Sequence, residues 1–144
     1  MHTQISLQRA FLVLLVSFAA ESGARALYPE GCTDLRTTQE LAECRQKQME
    51  AADARLEKYL AAARSQASAI AFDVTLIDDE QRAWVTYRTK HCGNVYTLSG
   101  MGSIRFEMSA VCTLEVTRER TIDVWRAYLT YQDSTPPVLP DPSP

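Results

Sequence analysis

The sequence predicts an all-α fold: a small, disulfide-stapled bundle of three main helices, preceded by an N-terminal signal peptide and followed by a disordered Pro-rich C-terminal tail. Three observations carry this. Apolar residues recur at helical spacing over three long stretches. Four cysteines, Cys32, Cys44, Cys92 and Cys112, lie in an otherwise export-type chain. The last stretch repeats proline and has no helical period.

Residues 1–26 have the three parts of a secretory signal. His2 and Arg9 precede the apolar run Ala10 to Ala20, and small residues end in Ala24-Arg25-Ala26, after which cleavage is expected. The apolar run is shorter than the ~20 residues that a helix needs to span a bilayer, so no membrane anchor is expected after cleavage. The protein is therefore expected in the periplasm or secreted. Removing the segment takes away Arg9, Arg25 and Glu21 and moves the formal net charge from −3 to about −4. A mature chain of that sign lacks the clustered Lys and Arg that nucleic-acid binding requires. The remaining ~118 residues suit one domain with a modest core.

The domain is expected over residues 27–132. Thr37-Thr38-Gln39-Glu40 has the spacing of a capping box, with Thr37 accepting from an early backbone N–H and Glu40 reaching back. The first helix should start there and run to about Ser68. Leu41, Cys44, Gln48, Ala52, Leu56, Tyr59 and Ala63 form its inner face, and Arg45, Lys47, Glu50, Glu57 and Lys58 lie mostly elsewhere. No Gly or Pro marks its end. The break is inferred from β-branched Val74-Thr75 and the start signal Asp78-Asp79.

The second helix carries Gln81-Arg82-Ala83-Trp84-Val85-Thr86-Tyr87-Arg88-Thr89-Lys90-His91-Cys92, the stretch around which the chain is organised. Trp84, Tyr87, Arg88 and His91 recur at three- and four-residue steps, so this face is expected to meet the rest of the protein, with Trp84, Tyr87 and Trp125 in the core. Gly93 and Asn94 tolerate a left-handed C-cap and predict the end of this helix. After the turn-forming Ser99-Gly100-Met101-Gly102-Ser103, a third helix is expected from about Arg105. Ile104, Met108, Val111, Cys112, Ile122, Trp125 and Leu129 make its apolar stripe. Residues 133–144 read as a solvated, polyproline-like disordered tail.

An even number of cysteines in an exported chain predicts two disulfides rather than free thiols or a metal site, and a single mature histidine, His91, argues against metal as well. If the helices alternate in direction, the first and third run parallel, and Cys44 and Cys112 each fall about two turns after their helix starts. That register favours Cys44 with Cys112 and Cys32 with Cys92; pairing along the chain, Cys32 with Cys44 and Cys92 with Cys112, stays open. The same register places Asp53 opposite Arg88 as a structural ion pair. No Gly-rich phosphate loop, nucleophile elbow, His-Glu-x-x-His or paired catalytic carboxylate occurs, so neither an enzyme nor a cofactor is expected.

Cys32, Thr37, Glu40, Cys44, Ala52-Asp53, Leu56 and Tyr59, then Gln81-Arg82-Ala83-Trp84 with Tyr87, Arg88 and Cys92, then Gly102-Ser103-Ile104, Cys112, Thr117 and Arg120, together resemble the LprI-type lysozyme inhibitor N-terminal family, exported bacterial proteins long classed as a domain of unknown function. The chain departs from the family in Gly100-Met101-Gly102-Ser103, where Met101 separates two glycines that are typically adjacent. The resemblance implies a periplasmic helical domain and, for some members, inhibition of a lysozyme-type muramidase by binding. Contact with such a partner is expected from Asp78, Asp79 and Glu80, or from Gly100, Met101 and Gly102, because lysozymes present a carboxylate pair in a cleft and many are basic. The alternative is an envelope-stress or immunity-type interaction module that binds another periplasmic protein without inhibiting lysozyme.

Overall fold

The computed structural model describes residues 31, 32 and 34–143, so the signal segment lies outside the described residues. Among the described residues there are three helices and no strand: α1 (Thr38–Ala69), α2 (Thr75–Leu98) and α3 (Ile104–Tyr128). None of them is long and apolar enough to cross a membrane. The bundle is held by α3, which packs along both α1 and α2.

The start of α1 follows from its first residues. Glu40 N donates to Thr37 Oγ1 (3.1 Å) while Glu40 Oε2 accepts from the backbone N–H groups of Thr37 (3.0 Å) and Arg36 (3.1 Å), which completes the capping box. Hydrogen bonds from the Thr37 side chain and backbone and from Arg36 hold the Glu40 carboxyl below the usual glutamate range. The end of α1 explains why no glycine marks it. Phe72 N donates to Ala67 O and Ala71 N to Ser68 O, a Schellman pattern whose left-handed residue is Ala71 (φ 57°). Asp73 then starts α2 by accepting from both N and Oγ1 of Thr75.

The hydrophobic core is concentrated at this end of the bundle. Leu56, Tyr59, Leu60, Ala63 and Ala67 of α1 meet Ile77 of α2 and Val124 and Leu129 at the end of α3, with Trp84, Trp125 and Tyr128 packed around them. Gln66 reaches over to the Tyr131 hydroxyl. The other end carries both disulfides.

Four expectations are corrected. The bridges are Cys32–Cys44 and Cys92–Cys112, with Cα separations of 6.1 and 5.6 Å, not the crosswise pairing. The lead-in turns at Gly31 (φ 105°) and folds back on the first turns of α1, which brings Cys32 to Cys44. Where α1 and α3 meet at that level, the link is Arg45 to Glu107 at 2.7 Å. Second, Arg45 belongs inside: it is 1% exposed, held by Glu107 and by Gln48 at 2.8 Å. Third, α2 does not stop at Gly93-Asn94 but continues to Leu98, because Cys92–Cys112, a Ser109 Oγ bond to Cys92 O and the Tyr96–Phe106 edge contact tie its last turns to α3.

Fourth, the tail is irregular but seated. Val138 N donates to Leu129 O (2.9 Å), Leu139 packs on the core and Pro142 is buried. Two aromatic donors accessible at the core end hold it, which composition alone does not reveal.

Candidate functional site

The central stretch builds a polar network that ties all three helices. Arg88 Nη1 donates to Asp53 Oδ1 of α1 (2.6 Å) and to Thr117 Oγ1 of α3 (2.8 Å), and the Thr117 hydroxyl donates in turn to Thr113 O (2.7 Å). The structure thus brings Asp53 and Arg88 together as the helix register requires. Arg120 of α3 donates from Nη1 to Glu80 Oε1 (2.7 Å) and from Nε to Gln81 Oε1 (3.1 Å). Both guanidinium groups lie over the Trp84 ring, Arg88 at 4.7 Å and Arg120 at 6.0 Å from its centroid.

Tyr128 closes the network by donating to Glu80 Oε2 (2.5 Å). Burial pushes the Glu80 carboxyl up, but the Tyr128 and Arg120 hydrogen bonds outweigh it and leave Glu80 below its ordinary range. Burial, reinforced by Glu80, pushes the Tyr128 phenol up. Gln81, Trp84, Arg88, Thr117 and Arg120 are thereby committed to holding helices in register. No nucleophile is poised beside a base in this cluster. Among the described residues no group of three or more His, Cys, Asp or Glu side chains could hold a metal ion.

Two residues of the same stretch face elsewhere. Tyr87 is exposed, against the expectation of a core position, and stacks on His91 with ring centroids 5.3 Å apart. Trp84 and Arg88 occupy the inner stripe, and Tyr87 sits one helical step outside it.

The acidic first turn of α2 is internally matched. Asp78 accepts from Arg64 Nε (2.8 Å), Asp79 pairs with Arg82, and Glu80 serves Arg120 and Tyr128. The Asp78 hydrogen bond raises the Arg64 guanidinium further above its ordinary value, burial opposing it. These carboxylates already have cations, which makes them a poor prong for a basic partner.

The other predicted contact residues are presented differently. Gly100 (φ 78°) and Gly102 (φ 101°) flank Met101 in left-handed turns, leaving the Met101 side chain 88% exposed. Leu98, 89% exposed, and Ile104, Phe106 and Met108 are also turned outward. Next to this loop a groove of about 400 Å³ runs between the starts of α1 and α3, lined by Leu41, Met49, Ile104 and Phe106 with Arg45 and Glu107 among its walls. The helical stripe assigned to Ile104 and Met108 is instead supplied by Leu114, Thr117, Thr121 and Val124. The signal that could have found Arg45 is its step of seven from Ala52 and eleven from Leu56, both inner positions.

No curated protein and no solved structure matches the chain. A family model does, over residues 30–123, a span that holds both disulfides, the capping box and the Trp84 network apart from Tyr128; its description is lysozyme inhibitor LprI, an inhibitor family rather than an enzyme family. With most of its length in that match, the chain belongs to the LprI lysozyme inhibitor family.

Proposed function

We propose that the protein is exported to the periplasm or the extracellular space and binds a lysozyme-type muramidase so as to block its cleft. The family match over residues 30–123 carries this reading. Within the molecule, the Gly100-Met101-Gly102 loop is the contact we favour. It is uncharged, projects from a disulfide-fixed pole and offers Met101 and Leu98 almost fully to solvent. A projecting apolar side chain is what a cleft can enclose as an anchor. The acids of α2 are occupied by Arg64, Arg82 and Arg120 and are assigned no contact.

The test is inhibition of cell-wall lysis by muramidases of several classes, using mature protein made in an oxidising compartment at micromolar concentration. Inhibition of at least one class is expected, and Met101→Asp should weaken it by about tenfold or more, equivalent to ~1.4 kcal/mol, without lowering Tm. Lysis that proceeds unslowed with every class removes the proposal. A stoichiometric non-lysozyme partner recovered from periplasmic extract would then favour the interaction-module reading.

A further inference from the structure

We propose that the aromatic cleft formed by Tyr59 of α1 and Trp125 of α3 is a recognition site for an extended Leu-Pro-acid-Pro peptide segment, held in cis by the protein's own residues 138–142. Proline has no backbone N–H, so a proline-rich segment joins neither helix nor sheet and offers a partner its rings and its carbonyl oxygens. Sites that bind such segments supply flat aromatic walls and side-chain donors aimed at successive carbonyls.

This cleft supplies the donors, from two aromatic side chains. Trp125 Nε1 donates to Leu139 O (2.8 Å) and Tyr59 Oη donates to Pro140 O (2.8 Å), so two donors from two helices read consecutive carbonyls. Val138 N, a backbone donor beside the prolines, is taken by Leu129 O (2.9 Å), which sets the segment's register. Leu139 packs against the core cluster, and Pro142 is buried. Asp141 shares a recess with Arg55 and Lys58, and its carboxyl is held low, first by the Ser143 backbone and side chain and also by Arg126. The seated sequence is apolar, proline, acid, proline, read through the Leu139 and Pro140 carbonyls and the buried Pro142.

Trp125 and the whole segment lie beyond residues 30–123, so the family match does not account for this feature. A tail tethered a few residues from its site competes at a high effective concentration, which makes it a latch against any segment arriving from another molecule. The site is independent of the muramidase reading.

The experiment uses the full mature chain carrying Leu139→Asp, which unseats the tail, and a fluorescein-labelled peptide of residues 134–143 followed by anisotropy. The unlatched chain is expected to bind the peptide at micromolar concentration and the wild-type chain about tenfold or more weakly, because its own tail fills the site. A peptide carrying the same Leu139→Asp change should not bind. Absence of peptide binding to a Leu139→Asp chain with intact helical circular dichroism overturns the proposal. If that variant loses its helical signal, Tyr59→Phe in the full chain decides: removing the hydroxyl should speed exchange of the Val138 amide by about tenfold, and an unchanged rate overturns the proposal.

Discussion

The two ends of this bundle are held together by different means. At the end where α1 turns into α2, cohesion comes from burial: Leu60, Ile77, Val124 and Leu129 are at most 1% exposed, and the tail closes over them. At the opposite end two disulfides and the Arg45–Glu107 pair do the holding, while Leu98, Met101, Ile104 and Phe106 point to solvent. Covalent links relieve apolar side chains of the task of cohesion. One end invests its hydrophobic surface in folding, and the other keeps it outward where a partner could cover it.

The apolar end should respond most strongly to substitution. Leu60→Ala should cost about 3 to 4 kcal/mol by denaturant titration, because it opens a cavity where no bridge compensates. A loss under about 1 kcal/mol would show that the core is not what holds that end.

Slightly smaller is the expected loss when Cys92 and Cys112 are both replaced by Ala, about 3 kcal/mol from a link spanning 20 residues. Replacing Cys32 and Cys44, whose link spans 12 residues, should cost about 0.5 kcal/mol less on loop entropy alone. Amide exchange would sharpen the contrast. Losing the Cys92–Cys112 bridge should deprotect the last turns of α2 and leave Leu60 and Ile77 slow.

At the level of protonation, Glu80 of the Trp84 network has a folded-state pKa below its unfolded value. Its contribution is therefore present above the ordinary glutamate pKa of about 4.3 and is lost as pH falls through the depressed folded value. Urea midpoints of wild type and Glu80→Gln should differ near neutrality and converge in acid; a constant offset across that window would contradict the assignment. The smallest expected effect is a gain. Ala71→Gly should stabilise by about 0.5 to 1 kcal/mol, since a left-handed alanine closes α1, the unfolded-state entropy of glycine offsetting part of the relief.

What was legible in the sequence was whatever depended on neighbours in the chain. The capping box of Thr37 and Glu40, the presence of three helices and the glycine loop are local, and each is observed. Asp53 and Arg88 were legible together because helix lengths set their level. Misreadings came where a distant group overrode a local preference. Arg45 looks like a surface residue until Glu107, 62 positions later, neutralises it. Gly93 looks like a stop until the neighbouring disulfide holds the helix through it. The tail looks solvated until Trp125 and Tyr59 take its carbonyls. In the candidate contact surface, the acids of α2 and the Met101 loop are both candidates from sequence, and the Arg64, Arg82 and Arg120 pairings distinguish them.

Each cystine joins a cysteine to the next one along the chain, Cys32 to Cys44 and Cys92 to Cys112. In a polypeptide threaded N-terminus first into an oxidising space, the partner of each thiol is thus the next thiol to arrive. Oxidation in order of arrival would yield the native linkage directly, leaving no mismatched bond to be reshuffled.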